Sequence, residues 1–247
     1  MRVGNRQQVP NLMADRERVI VLGVVPARGG SKGVPRKNIR RLAGWPLLWY
    51  TIEAAQRAQS LDRIVVSTDD PEIAQVARDG GAEVIMRPAA FATDEAPTEL
   101  ALIHAVETLA QTGYRPEAVV TLEPTSPLRS PELIDRCVRE LQRTGADAVL
   151  SVIETRECLG RLDGGGRFEY LIKDQPRRRQ DRQPLYKESS TVYVTRTATL
   201  LERRSVLGER LHAVVAAPEE AVDINTEIDF LIVEALLHTR SPHGART

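Results

Sequence analysis

The chain has 247 residues, and its 34 lysines and arginines balance 34 aspartates and glutamates, so the formal net charge is zero. That balance excludes whole-molecule attraction to nucleic acid or to an anionic membrane, and any basic patch must be local. Two cysteines, Cys137 and Cys158, form no Cys-x-x-Cys pair; they suggest neither a zinc site nor a disulfide framework and fit a reducing cytoplasm. No apolar run approaches the roughly 20 residues of a membrane span, and the first residues lack the apolar stretch of a secretory signal. The expected organisation is a mobile tail over 1–17, one domain over 18–240 and a second tail over 241–247.

In chain order, "VIVLGVV" (Val19–Val25) is β-branched and apolar throughout, as in a central strand covered on both faces. "PLLWYTIEAAQRAQ" has helical spacing. "RIVVST" reads as a second buried strand, and Asp69-Asp70-Pro71 as a helix start for "PEIAQVARDGG". "AEVIM" is a short strand, "TELALIHAVETLAQTG" an amphipathic helix with Gly113 past its end, and "EAVVTL" a strand. "SPELIDRCVRELQRTG" is a capped helix and "DAVLSVI" another strand. Beyond Thr155 the pattern changes: "LDGGGRFEYLI" and "KESSTVYVT" resemble hairpin strands joined by the basic connection "DQPRRRQDRQPLY", so 156–195 reads as an inserted β subregion. "EAVDINTEIDFLIVEALLH" turns a strand end into a last helix. Strands alternating with helices imply βαβ units, a Rossmann-like α/β fold and a mostly parallel sheet with helices on both faces.

The segment "VVPARGGSKGVPRKNI" follows the first strand, at the end where such sheets bind ligands. Its glycines, Gly29, Gly30 and Gly33, let backbone N–H groups converge. Arg28, Lys32, Arg36, Lys37 and Arg40 crowd the same stretch. Backbone donors with mobile positive charge suit a polyphosphate better than a merely solvated loop. A Walker loop is absent, because "GGSKG" puts Ser31 before Lys32, and no G-x-G-x-x-G opens a helix. In "AVDINTEIDF", Asp223 and Asn225 alternate and so face the same way in an extended segment. They can share Mg²⁺ with substrate phosphates, or belong to a helix cap with Thr226 and Asp229. A triphosphate loop opposite a metal-binding acid suggests nucleotidyl transfer. His104, in the apolar run "ALIHAV", reads as helix packing, and Arg177, Arg178 and Arg179 as a solvated loop.

"VPARGGSKGVPRKNI", "VSTDD", "RPAAFATDEAPT", "LEPTSPLR" and "VDINTEIDF" together resemble the acylneuraminate cytidylyltransferases, the CMP-sialic acid synthetase family, over roughly Val19 to Leu237. The resemblance implies a Mg²⁺-dependent enzyme in the cytoplasm, a homodimer built partly by the inserted region, that joins CMP from CTP to an acidic sugar with release of pyrophosphate. By position it places Ala27, Arg28, Gly29, Gly30, Ser31, Lys32, Lys37 and Asn38 at the triphosphate, and Arg87 and Ser126 near the nucleotide. Glu123, Arg129, Arg161, Lys187 and Ser189 fall at the acceptor, and Asp223 and Asn225 at the metal. Three positions depart from the family pattern: Asn225 stands for an aspartate, Glu123 for a glutamine, and Lys187-Glu188-Ser189-Ser190 for an arginine-bearing segment. These departures leave room for two other readings. One is a nucleotidyltransferase using CTP, GTP or another triphosphate on a sugar phosphate, cyclitol phosphate or phosphonate; the other is a non-catalytic nucleotide-binding protein.

Overall fold

In the computed structural model, which describes residues 19–30 and 33–240, the first apolar run becomes the central strand, β1 (Val21–Pro26), with every residue buried. The two expected tails, and Ser31 and Lys32 of the cation loop, lie outside the described residues. A two-stranded turn, β2 (Arg41–Leu42) and β3 (Trp45–Pro46), leads to α1 (Leu47–Arg57), β4 (Arg63–Thr68), α2 (Pro71–Asp79), β5 (Glu83–Met86) and α3 (Thr98–Ala110). Then come β6 (Ala118–Thr121), α4 (Pro131–Thr144), β7 (Ala148–Thr155), the hairpin β8 (Gly160–Leu162) and β9 (Phe168–Tyr170), β10 (Leu185–Arg196), α5 (Thr197–Arg203), β11 (Leu211–Val215) and α6 (Glu227–Arg240).

Local chemistry sets the helix ends. Asp70 caps α2 by accepting from the backbone N–H groups of Glu72 (2.8 Å) and Ile73 (3.0 Å), with Pro71 at the first helical position. Ser130 caps α4 through the Leu133 N–H, and Gly145 closes that helix with φ 68°, a left-handed value glycine adopts without strain.

Seven strands form one sheet in the order β11-β7-β10-β6-β1-β4-β5. β1 pairs parallel with β4 and β6, β4 with β5 and β7 with β11; β10 alone runs antiparallel, between β6 and β7. Alternation along β1 sends Val21 and Val25 into one apolar cluster with Leu48, Ile52, Leu133 and Leu141, and Leu22 and Val24 into another with Leu102, Val106 and Leu109. Helices therefore cover both faces, as the strand–helix alternation led us to expect. From β1 the chain proceeds through β4 to β5 on one side, while β6 lies on the other. The loops after β1 and β6 diverge there, and this switch point opens a crevice at the strands' carboxyl ends.

Three features differ from the sequence reading. "KESSTVYVT" does not stand apart with the hairpin: all of it lies in β10, its first half paired with β7 and its second half threaded between β7 and β6, and only about 156–184 leaves the sheet. A bulge between Glu188 and Tyr193, with Ser190 at φ 55°, breaks the period-two pattern that would have revealed this. "VDIN" is an extended connection after a 3-10 turn at Pro218–Ala221, not a strand. α5 and β11, which the sequence reading did not assign, occupy 197–215; β11 is an edge strand whose residues are mostly exposed, so it carries little hydrophobic pattern. No helix among the described residues is long and apolar enough to cross a membrane.

Candidate active site

The crevice holds a cavity of about 500 Å³. Its lining comes from the segment after β1 (Pro26, Arg28, Gly33, Lys37, Asn38), the segment after β5 (Arg87 to Thr98), the loop after β6 (Glu123, Pro124, Thr125) and Asn225. Four segments that end far apart in sequence thus face one space.

The cation loop is fixed at several points. Ala27 is fully buried at the strand end, and its N–H donates to Ser67 O (2.9 Å). Gly29 donates its N–H to Asp69 Oδ1 (3.1 Å), while nothing crowds Gly30. Asn38 is buried and its Nδ2 donates to Arg28 O (2.9 Å), holding the loop's two ends together. Gly33 lies so close to the VDIN segment that a Cβ there would meet Asn225 O at 2.4 Å. Lys37 Nζ donates to Ile224 O (2.7 Å). Arg28 reaches Thr93 O (2.9 Å) and Asp94 Oδ1 (3.0 Å) on the opposite wall. Arg36, by contrast, is turned to the surface of α2, where it pairs with Asp70 (2.5 Å) and with Glu72, and Arg40 pairs with Glu227 (2.5 Å). Those two cations support the loop from outside the cavity.

The charged groups on the wall are poorly solvated. Burial pulls the Lys37 ammonium below its usual value, against the opposing charges of Asp223 and Glu123. Arg87 is buried and likewise lowered by burial; Asp69, at 4.0 Å, offsets only part, and the Arg87 Nε has no hydrogen-bond partner among the described residues. Burial lifts the Glu123 carboxyl to about 7, with Arg129 the main opposing influence and Asp223 adding to the rise. Glu123 nevertheless keeps a face on the cavity, so ligand chemistry reaches it. Cations that are costly to keep charged when nothing fills the pocket become favourable once a polyanion arrives.

At the "VDINT" segment the capping reading holds for Thr226 and Asp229, and Asp223 stands outside the cap. Asp229 Oδ2 accepts from the N–H groups of Asn225 (2.9 Å) and Thr226 (2.7 Å) and from Thr226 Oγ1 (2.9 Å), which is a cap for α6. Asp223 takes no part in it. Its Oδ2 accepts from Asn225 Nδ2 (2.7 Å), and its Oδ1 is buried with no hydrogen-bond donor among the described residues. A buried, donorless carboxylate oxygen beside an amide fits a cation that takes its other ligands from phosphates and water. No cluster of three or more His, Cys, Asp or Glu side chains suited to a metal occurs among the described residues. The fit is therefore to Mg²⁺ shared with a substrate, not to a closed protein cage.

Other expected residues lie elsewhere. Arg129, expected at the acceptor, is buried and spent inside the protein: Nε donates to Thr191 O (2.7 Å), Nη2 to Glu123 O (2.7 Å) and Nη1 to Thr51 Oγ1 (3.3 Å). It positions the loop carrying Glu123 and does not line the cavity. Ser189 is buried at the β10 bulge against Ser151 Oγ (2.7 Å). Ser126 is fully buried behind the wall, its hydroxyl without a partner among the described residues. Lys187 and Arg161 are exposed, on β10 and β8, and do not line this cavity. Of the segment "RPAAFATDEAPT" the resemblance assigned only Arg87, yet Phe91, Thr93 and Asp94 also line the cavity. Its place just past a strand's carboxyl end was the available signal.

A cytidylyltransferase family model matches residues 22–210. The chain is 35% identical over 227 residues to the CMP-N,N'-diacetyllegionaminic acid synthase of Legionella pneumophila, covering 88% of this chain and 96% of that protein. It is 32% identical over 216 residues to an N-acylneuraminate cytidylyltransferase of Streptococcus agalactiae, covering 85% of this chain but 51% of the relative, so it spans about half of that longer protein. Among solved structures, a CMP:2-keto-3-deoxy-manno-octonic acid synthetase complexed with CTP superposes with a TM-score of 0.68 at 16% identity, covering 90% of this chain and 99% of that one. A 4-diphosphocytidyl-2C-methyl-D-erythritol synthase of Anaerococcus prevotii superposes with a TM-score of 0.65 at 15% identity, over 89% of this chain and 96% of that one. At those identities the likeness extends to the fold.

Two outcomes follow from the geometry. Gly33→Ala drives a methyl into Asn225 O and should destabilise the protein by about 1–3 kcal/mol in denaturant titration, the usual cost of overpacking; an unchanged midpoint refutes the contact. Because burial raises the Glu123 carboxyl, the folded protein binds a proton that the unfolded chain releases, between the ordinary value near 4.3 and about 7. Ligand-free protein should therefore lose stability relative to Glu123→Gln as pH rises through that window, levelling off above it. Melting temperatures of both from pH 5 to 8 check this, and a constant difference contradicts it.

Proposed function

This chain belongs to the cytidylyltransferase family, and on that premise we propose that it transfers CMP from CTP to the hydroxyl of an acidic, sialic-acid-like sugar, releasing pyrophosphate with the help of Mg²⁺. One observation carries the reading: a crevice at the sheet's switch point places Arg28, Lys37 and Arg87 around one cavity, beside an aspartate whose buried Oδ1 has no donor among the described residues. The related legionaminic acid synthase and N-acylneuraminate cytidylyltransferases supply the acceptor class, and the neighbour complexed with CTP supports the nucleotide.

In this reading the glycine-rich loop and its cations hold the triphosphate. Lys32 and Ser31 complete that loop in the segment outside the described residues. Arg28 and Lys37 stabilise charge that grows on pyrophosphate as the sugar hydroxyl attacks the α-phosphorus in line. Asp223, with Asn225, would hold Mg²⁺, whose chemistry is to withdraw charge from the phosphate oxygens and fix their orientation. Asn225 donates to Asp223, so the pair carries one negative charge and no mutual repulsion. Glu123 presents its carboxyl to the acceptor side and favours an acceptor that brings a hydroxyl or amino donor.

Pyrophosphate release across a panel of triphosphates and acceptors tests the proposal. Turnover is expected with CTP, Mg²⁺ and a nonulosonic acid, and Asp223→Asn should lower it at least about a hundredfold, the scale of losing a charge-stabilising group. Turnover only with a sugar phosphate, cyclitol phosphate or phosphonate, or with GTP in place of CTP, overturns the substrate assignment. CTP binding with no turnover on any acceptor reduces the protein to a nucleotide binder.

We propose also that two copies pair through the arm at 156–184. Leu162 is 71% exposed and Phe168 49%, and Tyr170, whose ring meets Phe168 edge-on, extends the same apolar face of the hairpin. Arg161 and Lys187, absent from their own chain's cavity, are acceptor ligands only if such pairing brings them to one. Light scattering should show a dimer that Leu162→Arg with Phe168→Arg converts to a folded monomer; a monomeric parent protein contradicts it.

A further inference from the structure

The cavity is not uniformly charged. Beside its cations stands a wall made by Phe91, Ala92 and Ala96, and Phe91 is the one aromatic side chain among the described residues that line it. Phe91 ends a 3-10 turn, Ala89–Phe91, in which its N–H donates to Pro88 O (2.9 Å). That turn hangs from the sheet through the Arg87 N–H bond to Thr68 O (2.8 Å). The backbone therefore holds Phe91 at the mouth of the crevice and does not leave it on a free loop.

Behind the ring lies His104. It sits on α3 among buried Leu102, Ile103 and Ala105, and meets Phe91 edge-on, with ring centroids 5.7 Å apart and planes at 66°. Its Nδ1 is buried and has no hydrogen-bond partner among the described residues. No hydrogen bond accounts for a histidine there, whereas the edge-to-face ring contact does. Arg28 links this wall to the phosphate side: its guanidinium donates to Thr93 O, two residues beyond Phe91.

A nucleoside triphosphate has two unlike ends, and each requires its own surface. The cations match the phosphates, and a flat base requires a π face. We infer that Phe91 is the platform on which the nucleobase stacks, and that His104 is a positioning residue that fixes the orientation of its ring. The inference rests on reading the cavity as a nucleoside triphosphate site, and deepens it. Stacking tolerates any base, so this pair supplies affinity and orientation, and the choice of cytosine falls to other groups.

Calorimetric titration of the full chain, in Mg²⁺ buffer, with CTP and separately with inorganic tripolyphosphate, tests it. Phe91→Ala should weaken CTP roughly ten- to a hundredfold while leaving tripolyphosphate within about twofold of the parent. His104→Ala should move CTP in the same direction by a smaller factor, again sparing tripolyphosphate, and His104→Phe, which keeps an aromatic edge against Phe91, should restore it. Unchanged CTP affinity in Phe91→Ala, or equal loss of both ligands, overturns the platform. Failure of His104→Phe to rescue removes the positioning role. A parent protein that binds neither ligand overturns the triphosphate reading itself, which the variant series leaves separate.

Discussion

The contact on which the site depends joins residues almost two hundred positions apart. Gly33 abuts Asn225 O with no room for a Cβ, and four residues later Lys37 Nζ binds Ile224 O. Beneath this seam a small apolar cluster of Val34, Leu42, Leu47, Leu128, Ile224, Phe230 and Val233 fills the space between the loop and α6. Val34 and Ile224 are both fully buried. α6 is therefore not an appendage to the sheet. Its first turn and the segment before it set the height of the cavity floor, and the loop after β1 takes its shape by packing against them. A glycine is needed at 33 because backbone meets backbone there, and not for loop flexibility.

The same seam organises the charge. Lys37, Arg87 and Glu123 are each held where burial disfavours their ionised forms, and each is the partial counterweight of another. Arg129 goes further inward. Burial lowers its guanidinium to about 10, and backbone carbonyls and a threonine take its donors. Removing such a group would strand several acceptors, which costs more than the bonds themselves. Its work is to fix the loop after β6 against β10 and α1, so Glu123 reaches the cavity at a defined place. Asn225 belongs to the same economy: a second carboxylate beside Asp223 would repel it whenever no cation is bound.

How much of this the sequence disclosed depended on whether a pattern was local. Buried parallel strands such as "RIVVST" and helices with caps, such as the one after Ser130, could be read because period, cap and turn residue agree within a few positions. β10 could not be read that way, since its bulge breaks the alternation at Ser189–Ser190 and its place in the sheet is set by strands remote in sequence. At the site, the loop after β1 was legible because its glycines and cations sit within one stretch. The direction of each cation was not: Arg28, Lys37 and Arg36 are neighbours, yet Arg36 faces away. Ser126, Arg129 and Ser189 carried the right residue types for ligand contact, but their burial depends on the fold's layers. In "VDINT" the cap draws on Thr226, Asp229 and the Asn225 N–H, while the Asn225 side chain turns to Asp223 and lines the cavity, a division that one dimension does not show.

The Arg28–Asp94 pair gives the last constraint. It crosses the cavity at 3.0 Å, between side chains about one-third exposed (34% and 37%), so it is a wet ion pair and worth no more than about 1 kcal/mol. Such a pair parks a cation without trapping it. Held there, Arg28 is not an unpaired charge beside Lys37 and Arg87, and it ties the Phe91 wall to the cation loop. Under the proposed function, a triphosphate would bring several charge-assisted acceptors to the same guanidinium and would outcompete one screened carboxylate. The wall and the cation loop are thus tied across the crevice by one weak ionic link, which a polyanion of the proposed kind could replace by a stronger one without assembling the crevice from separate parts.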